Sequence, residues 1–316
     1  CEITKEELIK SYPKEWAAAC KETLGRPVAL GEDNELIHSK ISQVLGENKA
    51  PWVLIGGPPC QAYSLVGRAK NAGTKGYVPE DDGRHFLYKE YLNIITKFEP
   101  TVFVMENVKG ILSSRIKGKS IFDQILGDLK NPDQGKLKYN IFSLSNAPRS
   151  NDLFGPVFTS KDFIIKAEEY GVPQARHRVI LIGVRSDISI NQADILLTKA
   201  PEVNVGEVLG NMPKLRSGLS KGDDSSKNWQ HITTAALTNA ATILNIDTAK
   251  VFKDSLPESR GKKFALSRKT LSNKLPKQLR NWLADDQLNG IIQHETRGHM
   301  NSDIARYSYV SLFGIC

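Results

Sequence analysis

Cys60 is the side chain in this sequence that is best placed for covalent chemistry. It lies in segment 56–61 (GGPPCQ), directly after the apolar run 52–55 (WVLI). The run predicts a short buried strand, and the Gly/Pro segment predicts a turn after it. In α/β proteins, functional residues commonly lie in such segments, at the ends of strands. Pro58 and Pro59 restrict the backbone beside the thiol. We therefore predict a nucleophilic thiolate at Cys60 rather than a small buried hydrophobic side chain.

Glu106 is the acid that the sequence offers as a partner for this thiol. It follows the apolar segment 102–105 (VFVM), which predicts a second strand. The apolar residues before Glu106 predict that its side chain is partly buried. Burial would raise the pKa of the carboxyl group and favour its proton-donating form. Such an acid could relieve negative charge on a substrate that a thiolate attacks. The alternative is an ordinary helix-capping or salt-bridged glutamate.

Three long polar side chains alternate in segment 174–178 (QARHR), which leads into a third apolar run at 179–184. In a strand, residues i, i+2 and i+4 share one face, so we expect Gln174, Arg176 and Arg178 to point together. Two guanidinium groups on one face suit a polarised oxygen, a phosphate or a carboxylate such as Glu106. The alternative is an edge-strand role in solubility, which the apolar run makes the weaker interpretation.

A loop rich in glycine and cations follows the cysteine between residues 64 and 84. It contains Arg68, Lys70 and Lys75 among several glycines. Glycine gives such a loop mobility and the cations attract phosphate, so we predict a lid that closes over a nucleotide. The alternative is that this segment is an ordinary solvated loop whose charged residues have no functional role.

The order of the predicted elements indicates an α/β protein with a doubly wound, mostly parallel sheet. Predicted strands at 53–55, 102–105, 139–144 and 179–184 alternate with helices at 85–97 and 121–129, after two helices near 4–12 and 16–24. Beyond this part the alternation weakens and polar residues and glycine become frequent. We predict a boundary near Ser186, between a domain at 1–186 and a smaller, irregular domain at 187–316.

Charge and cysteine content narrow the class of protein. The 43 Lys+Arg against 35 Asp+Glu give a net charge of +8, which suits a polyanionic partner and equally an ordinary basic protein. The cysteines and histidines show no metal-binding spacing, so we predict no metal site and a reduced, cytoplasmic thiol protein. No apolar run approaches the roughly 20 residues of a membrane-spanning helix, and we predict no membrane partner.

One stretch of the second domain is strongly basic. Residues 260–280 contain eight basic side chains and no acidic one. Lys262, Lys263 and Lys269 are the candidates there for contact with nucleic-acid phosphates.

Segments 56–61, 106–108 and 174–178, in this order, resemble the core of the DNA (cytosine-5)-methyltransferases. The resemblance covers about residues 52–185. It implies a Rossmann-like domain that uses S-adenosylmethionine and methylates carbon 5 of cytosine in double-stranded DNA, through a covalent cysteine adduct and base flipping. Residues 187–316 would then be the target-recognition domain, and segment 260–280 a candidate DNA face.

The same resemblance implies roles for single residues. Cys60 would be the nucleophile, Glu106 would contact the cytosine edge, and Arg176 and Arg178 would support the base pocket. Ser64 would contact the backbone of the flipped nucleotide. Arg68 and Gln174 are further candidates for contact with the nucleic acid, and Pro58 is a candidate for contact with the cofactor.

The amino-terminal part departs from this family. The first strand and glycine-rich loop that cradle the cofactor have no counterpart before residue 52. Glu2 is then the candidate for the cofactor ribose, and Glu32 or Asp33 for the adenine. The family's closing segment also has no counterpart, so we expect both ends of a longer, monomeric protein to be missing. Segment 293–301 (QHETRGHMN) resembles bacterial methyltransferases of restriction or phage-defence type.

Three other functions stay open on the sequence. A tRNA cytosine-5 methyltransferase shares the core, but those relatives carry a Cys-Phe-Thr tripeptide that is absent here. A non-catalytic nucleic-acid-binding remnant would not need Cys60, Glu106 and Arg176. A thiol-redox enzyme would need a partner cysteine near Cys60.

Overall fold

The chain divides into two compact units, residues 2–203 and 204–316. The computed structural model describes residues 5–47, 50–58, 87–116, 118–152, 155–251, 255–266, 271–284 and 290–314. Each unit has its own core and is described separately.

Helices and strands alternate in the middle of the first unit, as the sequence predicted, but three α-helices precede the first described strand and five strands follow the last described α-helix. Its described helices are α1 (Lys5–Ser11), α2 (Pro13–Glu22), α3 (Asn34–Leu45), α4 (Tyr88–Phe98) and α5 (Ile121–Lys130). Its described strands are β1 (Val53–Gly56), β2 (Val102–Val108), β3 (Arg115–Ile116), β4 (Lys119–Ser120), β5 (Tyr139–Phe142), β6 (Ser150–Asp152), β7 (Gly155–Val157), β8 (Ile164–Lys166) and β9 (His177–Arg185). Short 3-10 turns lie at Lys109–Ser113, Ser160–Phe163, Ala167–Glu169 and Gln192–Asp194.

The main sheet has the order β1-β2-β9-β5, with β8 also paired to β9. Only the β1–β2 pair is parallel among these described strands; β9 runs antiparallel to β2, β5 and β8. The fold is therefore mixed α/β, and the prediction of a mostly parallel sheet is wrong for the described strands. The physical reason is that β9 inserts between β2 and β5 in the opposite direction, after leaving β8 through a hairpin.

The core of the first unit lies between one face of this sheet and two helices. On β2, alternate residues are buried, among them Phe103 and Met105. Tyr91 of α4 and Ile125 and Leu129 of α5 belong to the same core, because apolar residues spaced three or four apart form one side of a helix. At about 25 cal/mol per Å² of buried apolar surface, this core is the main stabilising contribution to the unit.

The boundary between the units lies after Val203, later than the predicted position near Ser186. Backbone hydrogen bonds tie the intervening segment to the first unit: Ser186 N donates to Lys138 O, and Leu197 N donates to Leu144 O. The polar composition of this segment suggested a new domain, but backbone pairing decides where it packs.

The second unit is built around two long helices. Its described elements are α6 (Val205–Leu209), β10 (Gly218–Leu219), α7 (Ser226–Ile243), α8 (Thr248–Val251), β11 (Gly261–Leu266), α9 (Lys277–Leu283), β12 (Gly290–Glu295), β13 (Gly298–His299) and α10 (Asn301–Phe313). Trp229 of α7 packs with Ile304 of α10 and with Leu219. Alanines on α7 let it pack closely against Leu312.

A buried arginine organises the loops of the second unit. The side chain of Arg216 is only 7 % exposed and pairs with Asp224 at 2.8 Å. The nitrogen in this pair, Nη1, also donates to the carbonyl of Ser217, while Nε donates to the carbonyl of Glu258 and Nη2 to that of Asp224. Arg260 reaches the second oxygen of Asp224 at 2.6 Å. The hydrogen bond from Arg216 lowers the pKa of Asp224, so the carboxylate form is the one that holds the loops together.

A search of the described residues for a helix long and apolar enough to cross a bilayer found none.

Candidate active site

Strands β1 and β2 lie side by side, and Tyr91 of α4 contacts both of them. The two strands are parallel, with Gly56 opposite Met105. The Tyr91 hydroxyl lies 3.0 Å from the carbonyl oxygen of Val104 and 3.3 Å from that of Leu54. A Cβ on Gly56 would come within 2.5 Å of the Tyr91 ring, so glycine is required for this close approach. Burial raises the pKa of Tyr91 and keeps its hydroxyl a donor.

Asn107 and Glu106 both act on the segment that follows β1, from opposite faces of β2. Asn107 is 5 % exposed, and its Nδ2 donates to the carbonyl of Pro58 at 3.3 Å. Glu106 lies on the other face, partly buried as predicted, with a side chain that is 44 % exposed. A Cβ on Gly57 would lie 3.1 Å from Glu106 Oε2. Segment 56–58, which leads to the cysteine, is therefore in contact with this acid.

Arg178 holds the other oxygen of the same carboxylate. In the β2–β9 register Arg178 is opposite Val108 and Ile180 is opposite Glu106, so Arg178 and Glu106 are diagonal neighbours on one face. Arg178 Nε donates to Glu106 Oε1 at 2.7 Å. Of the partners expected for Arg178, the structure shows the carboxylate, so Glu106 is salt-bridged, which is the alternative that the sequence left open for it.

The expected shared face of Gln174, Arg176 and Arg178 is wrong. Strand β9 begins only at His177, and the residues before it form tight turns in which Gln174 N donates to Val172 O and Arg176 N donates to Gln174 O. Proline at 173 has no N–H for a ladder, which favours a turn over a strand there. Gln174 and Arg176 are exposed, and the Arg176 guanidinium has no partner within the described part of the chain.

Five of the predicted site residues lie outside the described residues. They are Cys60, Ser64, Arg68, Glu2 and Lys269. Their roles remain expectations from the sequence.

The predicted cofactor residues do not form one cradle within the part of the chain that is described. Asp33 is occupied by its own turn, since Oδ1 accepts from Arg26 Nη2 and Oδ2 from Ala29 N. These bonds, with that of Ala29 first, lower the pKa of Asp33. Glu32 is exposed, and Pro58 lies in the turn that Asn107 holds. The described residues alone therefore do not complete a site for S-adenosylmethionine.

Some side chains of the basic segment of the second unit make contacts inside that unit. Lys262 and Lys263 are exposed on β11, which pairs with β12. Arg260 donates to Asp224 and to the carbonyl of Thr296, and Arg280 donates to the carbonyl of Ser272. These two arginines stabilise the second unit, so the cationic surface is smaller than the sequence suggested.

The sequence interpretation gave no site role to Tyr91, Gly57 or Asn107. Tyr91 lies within the predicted helix 85–97, and a buried hydroxyl that contacts the carbonyls of two adjacent strands has no sequence signal. Asn107 follows Glu106 directly, and the alternation of a strand was the signal that it points to the opposite face. Within the described residues, no cluster of three or more His, Cys, Asp or Glu could hold a metal ion.

Comparison with known proteins adds a family match. A family model described as C-5 cytosine-specific DNA methylase matches residues 13–307. The chain is 38% identical over 138 residues to the Type II methyltransferase M.Bpa9945I of Bacillus paralicheniformis, which covers 43% of this chain and 26% of that protein. It is 29% identical over 187 residues to the Type II methyltransferase M.BspRI of Lysinibacillus sphaericus, covering 59% of this chain and 34% of that protein. The matched stretch is thus about a quarter to a third of these relatives' length.

Proposed function

Because the chain belongs to the C-5 cytosine-specific DNA methylases, we propose that it transfers a methyl group to carbon 5 of cytosine in double-stranded DNA. The observation that carries the proposal is the contact of Arg178 with Glu106 at 2.7 Å, beside the Gly57 segment that leads to Cys60. An acid fixed by a guanidinium and adjacent to a nucleophile's turn is what addition to a pyrimidine requires.

Cys60 is the proposed nucleophile. Its thiolate would form a bond to carbon 6 of the ring, and the displaced π electrons would move toward carbon 4 and ring nitrogen 3. Carbon 5 then carries the electron pair that takes up the methyl group. Loss of the carbon 5 proton and cleavage of the sulfur–carbon bond would return the thiolate and the aromatic ring.

Glu106, as a carboxylic acid, would donate a hydrogen bond to ring nitrogen 3 of cytosine, where negative charge accumulates. Its Oε1 is held by Arg178, and its Oε2 is turned toward Gly57, which leaves one oxygen directed to the side from which Cys60 would act. Arg178 would fix the carboxyl group and Arg176, which is exposed, would contact the base or a phosphate. Preorganised groups of this kind avoid reorganisation during the reaction.

S-adenosylmethionine is the proposed cofactor, and it would supply the electrophilic methyl group. The target base must leave the DNA stack for a thiol to reach carbon 6. Ser64, Arg68 and Gln174 are the proposed contacts to the flipped nucleotide, and Lys262, Lys263 and Lys269 to the surrounding phosphates.

Covalent trapping on DNA that contains 5-fluorocytosine tests this function. Fluorine at carbon 5 prevents the elimination that releases the enzyme, so an adduct should accumulate in the presence of S-adenosylmethionine. We expect an adduct with the wild-type chain and none with C60S or C60A. Absence of the wild-type adduct, or its formation by C60S, would overturn the proposal. An adduct on single-stranded tRNA sequences instead of DNA would favour the RNA methyltransferase.

A further inference from the structure

A continuous set of contacts runs from Glu168 to the Glu106 carboxylate. His177 Nε2 and Glu168 Oε1 are 2.7 Å apart, and Arg178 Nη1 donates to the His177 carbonyl at 2.9 Å. Arg178 Nε then donates to Glu106 Oε1 at 2.7 Å. Because a carboxylate only accepts, the His177 ring carries a proton on Nε2 in this contact. The Arg178 guanidinium is thus held at two of its nitrogens.

Because side chains alternate between the two faces of β9, His177 can influence the position of Arg178 without contacting Glu106. Neighbouring residues of a strand point to opposite faces, so the His177 ring and the Arg178 side chain leave the strand on opposite sides. Fixing the ring on one face fixes the peptide group whose carbonyl binds Arg178. The orientation of the His177 ring on one face of the sheet therefore influences the orientation of the Arg178 guanidinium on the other face, through the peptide group of residue 177.

Glu168 is well placed to fix that ring. It lies in the 3-10 turn Ala167–Glu169 that follows β8, and Lys166 of β8 is opposite His177 of β9. The paired side chains are only 33 % and 24 % exposed. Its backbone and His177 keep the pKa of Glu168 below the ordinary range, so the group remains an acceptor.

The adjacent glutamate makes different contacts. Glu169 binds Lys166 at 2.8 Å and Lys199 at 2.7 Å, and these lysines are at least half exposed. It ties the hairpin to the segment near Lys199, and within the described residues it makes no hydrogen bond or ion pair with His177 or Arg178. Glu169 is therefore a natural comparison for Glu168 on the same turn.

We propose that Glu168 and His177 are positioning residues that hold Arg178 against Glu106. The inference rests on the proposed function, in which Glu106 hydrogen-bonds the cytosine edge. Neither residue touches the substrate. Their effect is on the geometry of the Glu106 carboxyl group, which is two contacts from His177 and three from Glu168. A displacement of about 1 Å there can reduce a rate about a hundredfold.

Solvent exchange of the Arg178 Nε–H proton tests the positioning directly, by NMR on the full chain. The signal is identified by its absence in R178K. We expect exchange about tenfold faster in H177A and E168A, because the peptide group whose carbonyl binds Arg178 Nη1 is no longer fixed through the side chain at 177. H177Q, whose side-chain amide can still donate to Glu168, should restore slow exchange. E169Q is the matched control and should leave this proton unchanged.

The rate of adduct formation on 5-fluorocytosine DNA tests the consequence for the reaction. We expect H177A and E168A to slow single-turnover adduct formation about tenfold or more while the Kd for DNA changes less than about twofold, and H177Q to recover most of the rate. Unchanged Arg178 exchange in both alanine variants would overturn the inference, and so would an unchanged rate in an active enzyme. If the wild-type chain forms no adduct, the proposed function fails, while the exchange experiment still decides the positioning.

Discussion

Gly57 lies against the carboxyl group of Glu106: a Cβ at position 57 would stand 3.1 Å from Glu106 Oε2. This spacing is tighter than an ordinary van der Waals contact, so any side chain at 57 must displace the acid. Glu106 cannot move freely in response, because Arg178 holds its other oxygen. The space beside Gly57 is therefore just large enough for the Glu106 side chain when residue 57 has no Cβ.

Substitution of Gly57 by alanine should therefore reduce activity more than stability. We expect G57A to slow adduct formation on 5-fluorocytosine DNA about tenfold or more, with a change of less than about 1 kcal/mol in the free energy of unfolding. Urea denaturation and single-turnover trapping provide the two measurements.

Gly127 of α5 supplies the matched control. A Cβ there meets nothing within 4 Å, and the position is exposed in a helix. G127A should stabilise the protein by about 0.5–1 kcal/mol without changing the adduct rate. Equal rates for G57A and wild type would show that the position of Glu106 is not critical.

The sequence predicted the elements of the first unit better than their arrangement. Apolar runs identified β1, β2, β9 and the helices α4 and α5, since burial on one face imposes a period of two or about 3.6 residues. Strand direction has no such period. The insertion of β9 between β2 and β5 depends on tertiary pairing, which periodicity does not report.

The candidate site could be predicted only in part for a related reason. Glu106 and Arg178 were recognised because both lie in regular strands where the spacing of side chains is fixed. Gln174 and Arg176 were misplaced because two local turns near Pro173 replaced the expected strand. Contacts that cross from one element to another, such as Tyr91 with Val104 or His177 with Glu168, leave no pattern along the chain.

Two exposed lysines of β11 should contribute to the salt dependence of DNA binding. Each phosphate contact adds about 0.9 to the slope of log K against log salt concentration. Replacing Lys262, Lys263 and Lys269 with glutamine should lower the slope by about 2 to 3, measured by fluorescence anisotropy between 50 and 200 mM salt. Glutamine at Lys14, Lys136 and Lys138, which are exposed in the first unit, is the control. An unchanged slope in the first variant would remove this segment from the DNA surface.

The stability of the β8–β9 hairpin should fall in acid because of Glu169. Hydrogen bonds from Lys166 and then Lys199 lower the pKa of Glu169 from 4.5 to about 2. A carboxyl group whose pKa is lower in the folded than in the unfolded chain stabilises the fold above the unfolded pKa. That contribution is therefore complete above about pH 5 and is lost as the pH falls from 4.5 toward 2.

Comparison of wild type with E169Q isolates this contribution from other carboxyl groups. We expect the difference in urea midpoint between the two proteins to be largest at pH 6 and to shrink steadily down to pH 2.5. K199M should reproduce part of the effect, since it removes one of the two hydrogen bonds. A difference that stays constant over this range would show that Glu169 does not couple folding to protonation.

Arg216 should be the most sensitive charged residue of the second unit. Its side chain is 7 % exposed and donates to Asp224 and to several backbone carbonyls, which would be left without a donor in R216M. Removal of one partner from such a buried network costs about 3 kcal/mol or more. Urea unfolding followed by fluorescence in a background with W16F and W52F, which leaves Trp229 and Trp282 of the second unit as the tryptophans, measures the loss in this unit. R306M is the control, because the Arg306–Asp303 pair leaves Arg306 73 % exposed and should contribute less than about 1 kcal/mol. Equal losses for the two variants would contradict a central role for Arg216.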